Sequence, residues 1–424
     1  MDATVKKDSV LDVLYRILSG IRDGWKNSSA VKKLRLDRGE VIYCIYFGIV
    51  FFYYYLKTTT IVIPMDIHIA IHGCVGLLYI AAWFKMAIID IEDKWDIVRY
   101  LIPVALGYIV FQTAESIGGW NDIVLYYFLI VSARKVSFRK IAMTALVIGT
   151  AVTVIVTALS PTGLYTNLIY STSKPTRYAF GFIYPTDYSA HICFLALLFF
   201  WIRGGKMQLL DIIIYLAAAA YIFIFCYGKT DTVCIIMIVI FGLMFRSQKM
   251  TGTLKKCGWV SVWAIPVLAA VTIALTVFFV RNSALYQFMY EHMSSVFFRF
   301  QSGNIVMNEH GLSIFGKMFD ENGLGLLTDE QVLKVSEFDL TFIDISYVKI
   351  LMRMGIASLA AVVIFIPGFI HGRLIRNDLV TVAVWFIIAI NCAFAHHFVD
   401  LSYNVFLFML FADLSDSHLN ISKT

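Results

Sequence analysis

The stretch WVSVWAIPVLAAVTIALTVFFV at positions 259–280, running into RNSALYQFMYEHMSSVFFRFQSGN at 281–304, decides the class of this fold. A run of about 20 apolar residues, rising 1.5 Å each as a helix, matches the hydrocarbon thickness of a bilayer. It stops abruptly at Arg281, and hydrocarbon-compatible sequence resumes only at 341. The interval holds Arg281, Glu291, His292, Arg299, Glu309, His310, Asp320 and Glu321 among aromatic residues and glycines. Packed elements are usually joined by short turns, so a long, polar, aromatic-rich connection is where a site is expected.

Composition generalises this pattern. Of the 424 residues 59% are hydrophobic and only 15% charged, and mean hydropathy is +0.76. A soluble chain carries about a quarter charged residues, so this one cannot cover its own surface with polar groups. The expected class is an all-α polytopic membrane protein. The formal charge of +6 calls for no nucleic-acid partner, because the basic residues fall where membrane topology wants them. Six of the seven cysteines lie in apolar runs and Cys257 follows Lys255-Lys256; no CxxC spacing occurs. Neither a disulfide nor a zinc framework is expected.

Hydropathy outlines about twelve transmembrane helices: 41–57, 67–85, 97–113, 121–133, 140–160, 185–202, 208–227, 231–246, 259–280, 341–369, 378–397 and 399–413. No cleavable signal is expected ahead of the first. Basic clusters at Arg134-Lys135, Arg139-Lys140, Arg203 with Lys206, Lys255-Lys256 and Arg373 with Arg376 all fall on one side if the amino terminus is inside. By the positive-inside rule both termini are then cytoplasmic and the 281–340 loop faces out. The chain divides into a basic cytoplasmic arm (1–40), a bundle of about nine spans (41–280), the large extracytoplasmic loop (281–340), and the last three spans with a cytoplasmic tail (341–424). Leu11, Leu14, Tyr15 and Leu18 of the arm have the spacing of an interfacial helix, or of a frayed end. No inverted repeat of broken spans is visible, which counts against a secondary transporter.

Several constellations lie at the expected outer ends. Arg177 opens the string Arg177-Tyr178-Ala179-Phe180-Gly181-Phe182, which runs into Pro185, Asp187 and His191. Its planar fork suits phosphate oxygens, though arginines at this depth also snorkel to lipid head groups. Gly228-Lys229-Thr230-Asp231 puts a second cation nearby, with Thr230 or Asp231 as a helix cap; it is not a phosphate-binding P-loop. Asp344 stands where the tenth span begins, either as a cap or as a site residue, with Tyr347, Lys349 and Arg353 following. Ionisable groups as deep as Lys349 and Arg353 usually face a bundle interior or cavity. His396-His397-Phe398-Val399-Asp400 invites a metal reading, but adjacent histidines on a helix point apart, and an interfacial polar turn is preferred. No metal and no cofactor are expected.

Taken together, the Arg177–Phe182 string before Pro185, Arg299 followed by Phe315-Gly316, and Asp344-Ile345-Ser346-Tyr347 with Gly355 resemble the oligosaccharide-repeat polymerases of the O-antigen ligase-like superfamily. Where such proteins often show Ser-Arg-Thr after the seventh span, this chain has Gly228-Lys229-Thr230, which keeps a cation and loses the fork. The resemblance implies a bacterial cytoplasmic-membrane glycosyltransferase. It would join polyprenyl-diphosphate-linked oligosaccharide repeats into capsule or O-antigen polysaccharide, alongside membrane lipid, a chain-length regulator and a flippase. Arg177 and Arg299 would then hold the diphosphate leaving group, with Asp344 orienting or deprotonating the acceptor hydroxyl. Arg281, Lys229, Tyr347, Arg353 and His310 would support substrate binding. Transfer to another acceptor by a ligase, a transporter or flippase, and a non-catalytic assembly partner remain the competing readings.

Overall fold

The computed structural model describes residues 9–415, apart from 34–38, 68, 71–72, 74–76, 78–79, 81–83, 119–121, 164, 172–174, 280–282 and 336–339. The chain is predominantly helical, as the apolar runs require. Among the described residues, seven helices are long and apolar enough to cross a membrane: Gly39–Lys57, Lys94–Ser116, Phe138–Thr162, Pro185–Ile202, Leu209–Cys226, Gln248–Val277 and Ser346–Ile375. Lys229–Phe245, with 17 residues, falls just short of that length.

Twelve spans are therefore not reached among the described residues. Run 67–85 is described only in part. Run 121–133 becomes the 11-residue helix Asp122–Ser132, which at 1.5 Å per residue covers only about half of a ~30 Å hydrocarbon core. Run 399–413 forms turns and the short 3-10 helix Val405–Leu410, with Val405, Phe406, Phe408 and Met409 buried. Hydropathy scores these residues as apolar without registering that protein, rather than lipid, covers them.

Pro185–Ile202 is the most enclosed of the seven, with 72% of its span buried. Pro185 suits its first turn, where the missing N–H would have had no partner anyway. Gly149 lets two neighbours close on it: a Cβ there would sit 2.8 Å from Leu195 and 3.1 Å from Tyr55. Leu379–Cys392 is similarly buried, whereas Leu209–Cys226 turns Ile213, Ile214, Phe223 and Ile224 outward. Exposed apolar faces of this kind suit a bilayer and would be costly in water.

The two ends of the bundle differ chemically. One end carries paired charges: Lys85 with Asp90 at 2.6 Å, Arg203 with Asp211 at 3.0 Å, and Arg373 with Asp378. Beside it lies the helix Val10–Asn27, started by a reciprocal Ser9–Asp12 capping box. Tyr15 donates to the Glu92 carbonyl at 2.6 Å, so this side of the helix docks on the 85–99 connection. Its opposite stripe (Val10, Val13, Leu14, Ile17, Ile21) is exposed. The arm is thus a formed helix, and the apolar face it leaves free shares Leu14 with the expected Leu11–Leu14–Tyr15–Leu18 stripe but is otherwise made of Val10, Val13, Ile17 and Ile21.

At the other end the long loop folds on its own apolar core. Helices Ala284–His292 and Ser294–His310 bring Met289, Phe297, Phe300 and Val306 onto Phe319, Ile343, Ile345, Val348 and Met352. Burying each such side chain contributes about 2 kcal/mol, so the loop is a packed layer. Residues 313–317 cross the start of the following helix at close range. Ile356 and Ala357 donate to the Ser313 and Ile314 carbonyls at 3.0 and 2.9 Å, occupying N–H groups that a helix start leaves open. The crossing needs glycine on both sides: Gly316 (φ +92°) and Gly355 (φ +88°) would carry Cβ atoms 2.1 and 2.3 Å from the opposing backbone.

Candidate functional site

The loop meets the bundle where three helix ends converge. Pro185–Ile202 and Lys229–Phe245 begin there, and Leu379–Cys392 ends there, so Asp187, Asp231 and Asn391 share one level. Asp231 does not act as a helix cap. Its carboxylate receives Ser189 Oγ and, at 2.8 Å, Asn391 Nδ2, tying three helices together. Gly228 permits the close fit, since a Cβ there would fall 2.3 Å from Ser189 Oγ.

Asp344 reaches this level through an extended segment. From 341 to 345 successive side chains alternate: Ile343 and Ile345 point into the loop core, while Phe342 and Asp344 stay partly exposed. Ser346 then clips the segment to the turn after Leu379–Cys392, its hydroxyl donating to the Ala395 carbonyl and receiving the Phe398 N–H at 3.2 Å. No side chain caps the helix that begins at Ser346, so Asp344 is free of that duty. One of its oxygens lies 3.7 Å from Arg299 Nε and the other 3.7 Å from His396 Nδ1. Burial beneath the loop pushes the Asp344 pKa up, and the His396 contact and Arg299 charge outweigh it, holding the carboxyl below the ordinary aspartate range. With 40% of its side chain exposed, the acid remains reachable from outside.

Arg299 is aimed by its helix. Phe297 and Phe300 bury one face, Asn304 donates to the Thr276 carbonyl at 2.9 Å, and Gly303 lets the helix rest on Thr276 and Val348. Its charge is felt by Asp231 and by His397 as well as by Asp344. Arg177 approaches from the third side, on a short hairpin pairing Ile169–Tyr170 with Arg177–Tyr178. Its guanidinium stands over Tyr170 and Tyr184, 5.8 and 5.4 Å from the ring centres, and donates to Tyr184 Oη at 3.1 Å. The Tyr184 hydroxyl lies within the fields of Asp187 and Asp344. Arg299 thus contacts Asp344 directly, while Arg177 is linked to the cluster through Tyr184, whose hydroxyl feels the Asp187 and Asp344 charges.

Other expected site residues serve the scaffold. Tyr347 is fully buried and donates to the Ala389 carbonyl at 2.9 Å, so its ring offers no face to a sugar. Arg353 donates to the Phe319 carbonyl at 2.7 Å and covers the Phe319 ring, fastening the loop. His310 stacks on the other partner of that fastening, 5.3 Å from the Phe319 ring centre. Lys349 pairs with Glu321 at 2.8 Å instead of confronting Arg353. A π-helical turn over Ile350–Met354 separates the two cations. Lys229 is exposed and lies over the Tyr227 ring at 4.5 Å. Arg281 lies outside the described residues.

Sequence reading missed Asp187, Asp231, Asn391 and the histidine turn as members of one site. The available signal was an acidic residue in the first turn of two apolar helices, at the same end as a polar break between the last two runs. An apolar cavity of about 180 Å³ lined by Phe241, Cys257, Val260 and Phe386 shares no residue with this cluster. No family model, curated protein or solved structure matches the chain.

Proposed function

We propose that this protein is a glycosyltransferase of the membrane, joining oligosaccharide repeats carried on polyprenyl diphosphate into a surface polysaccharide. The observation that carries this reading is Arg299 and His396 converging on opposite oxygens of a partly exposed Asp344, with Arg177 adjoining through Tyr184. Donors held rigidly where a diphosphate departs stabilise its growing charge without reorganising. Arg299 and Arg177 would grip that leaving group. Asp344, kept as the carboxylate by Arg299 and His396, would orient the acceptor hydroxyl and take its proton as the new glycosidic bond forms. The partly exposed Phe342 ring beside His396 gives a sugar face something to lie against. The basic clusters at the opposite end of the bundle support an outward-facing site by the positive-inside rule.

Purified protein in liposomes, supplied with lipid-linked repeats alone, tests this directly. Polymer with more than one repeat per lipid is expected. Transfer only when a different acceptor is added would make the protein a ligase, and movement of the lipid-linked repeat across the bilayer without bond formation would make it a transporter.

A further inference from the structure

We propose that Asp187, His396 and His397 form a binding site for one divalent first-row transition ion. Their ligand atoms lie within 4.8 Å of one another, and the donors come from two separate elements. The objection that neighbouring histidines diverge applies to a helix, and these two lie in a turn after the helix has ended. Their rings stand 4.1 Å apart at 49°. Each ring is held in place: Tyr403 lies against His397 at 3.9 Å, tilted by 31°, and Phe342 meets His396 edge-on at 4.8 Å.

Two further observations point to a ligand. Asp187 is 6% exposed and no hydrogen bond or ion pair reaches its carboxylate among the described residues; burial disfavours its charge, His396 attracts it, and the Asp344, Asp400 and Asp231 charges repel it. His397 is 3% exposed and its Nδ1 is buried with no hydrogen-bond partner. Polar groups so enclosed are costly unless something satisfies them. Secondly, Asp344 sits 3.7 Å from His396 Nδ1, which leaves Nε2 as the donor to an ion. A carboxylate behind the far nitrogen is the usual support of a metal-bound imidazole.

Two imidazoles and one carboxylate favour ions such as Zn²⁺ or Mn²⁺ over Mg²⁺, and leave coordination positions open. Ligand atoms around such an ion lie about 3.4 Å apart at metal–ligand distances of ~2.1 Å, so side-chain rotation closing the trio by about an ångström completes the site. The ion's role rests on the function proposed above: its open positions would face a diphosphate oxygen beside Arg299. Its binding does not depend on that function.

The test uses the full chain in lipid nanodiscs, stripped with EDTA and dialysed against Zn²⁺ alone, with elemental analysis of bound metal. One Zn²⁺ per chain is expected. Asp187→Asn and His397→Gln should each weaken binding at least tenfold, and Lys229→Ala should leave it unchanged. With Mn²⁺ as a paramagnetic probe, pulsed EPR should show nitrogen couplings that diminish in His397→Gln. A wild-type chain that binds no ion, or variants that bind as tightly as wild type, overturns the proposal regardless of how well either variant folds. Polymerisation by ion-free protein that binds no ion sinks this inference and leaves the function standing; a bound ion without polymerisation does the reverse.

Discussion

Arg299→Ala separates catalysis from stability more cleanly than any other single change. The Arg299–Asp344 pair at 3.7 Å has a Coulomb energy of about 4.5 kcal/mol at an effective dielectric of about 20. The two side chains are 20% and 40% exposed, so solvent screening leaves a net contribution to folding of about 1 kcal/mol or less. The helix itself is secured by Phe297, Phe300 and the Asn304–Thr276 bond, none of which the substitution touches. Loss of a preorganised donor facing a developing oxyanion, by contrast, costs about 10²–10³ in rate, or 2.7–4 kcal/mol. The variant should fold, insert and bind lipid-linked repeats while forming no polymer. Gel profiling of surface glycan, with mass spectrometry of the lipid-linked pool, should show single repeats accumulating at wild-type protein abundance. Arg299→Lys should restore the ion pair and recover little activity, because one ammonium cannot replace the fork. Normal chain lengths in a well-expressed Arg299→Ala strain would refute the assignment.

Further expectations concern neighbouring parts. His396→Gln and Asp344→Asn should each lower polymerisation by at least about 10² with thermal stability nearly intact; an unchanged rate in either removes it from the reacting centre. The Asp344 carboxyl is held below its ordinary range, so its contribution to stability is present above the unfolded aspartate value of about 3.9 and lost as pH falls through the lower folded value. In Arg299→Ala the folded value rises towards the unfolded one, so that acid-side loss should shrink, measurable as the melting temperature between about pH 2 and 6. Gly316→Ala should be damaging at a distance from the chemistry: a left-handed φ costs about 1–3 kcal/mol in a residue with a Cβ, before its 2.1 Å clash with the Arg353 carbonyl is counted. A markedly lower melting temperature and lost polymer are expected. Lys229→Ala should behave as wild type in both assays.

The apolar helices long enough to cross a membrane were legible because length and apolar continuity are local properties. The span count was not. A residue such as Phe406 scores identically under protein or lipid, and only folding reveals that it is buried. Arg299 and Asp344 could be singled out separately, each as a charge at an apolar boundary. Their meeting with His396 depends on Ser346 clipping to Ala395, a contact 49 residues apart in sequence. Arg353 and Tyr347 were misread for a related reason: a charged or aromatic residue near a site looks the same from sequence whether it faces substrate or holds the wall.

The two halves of the loop are moored to different things. Residues 313–317 supply the carbonyls that the Gly355 helix start requires, so lifting them would strip hydrogen bonds from an apolar helix long enough to cross a membrane. Residues 324–329 are fastened instead to the hairpin region, through Leu326 N–H to the Ile183 carbonyl and through Ser171 to Asp329, partly in contact with water. Bonds in water are cheaply exchanged. Any opening of the loop should therefore begin in its distal half, where those bonds part and leave the Arg177 hairpin behind on the bundle.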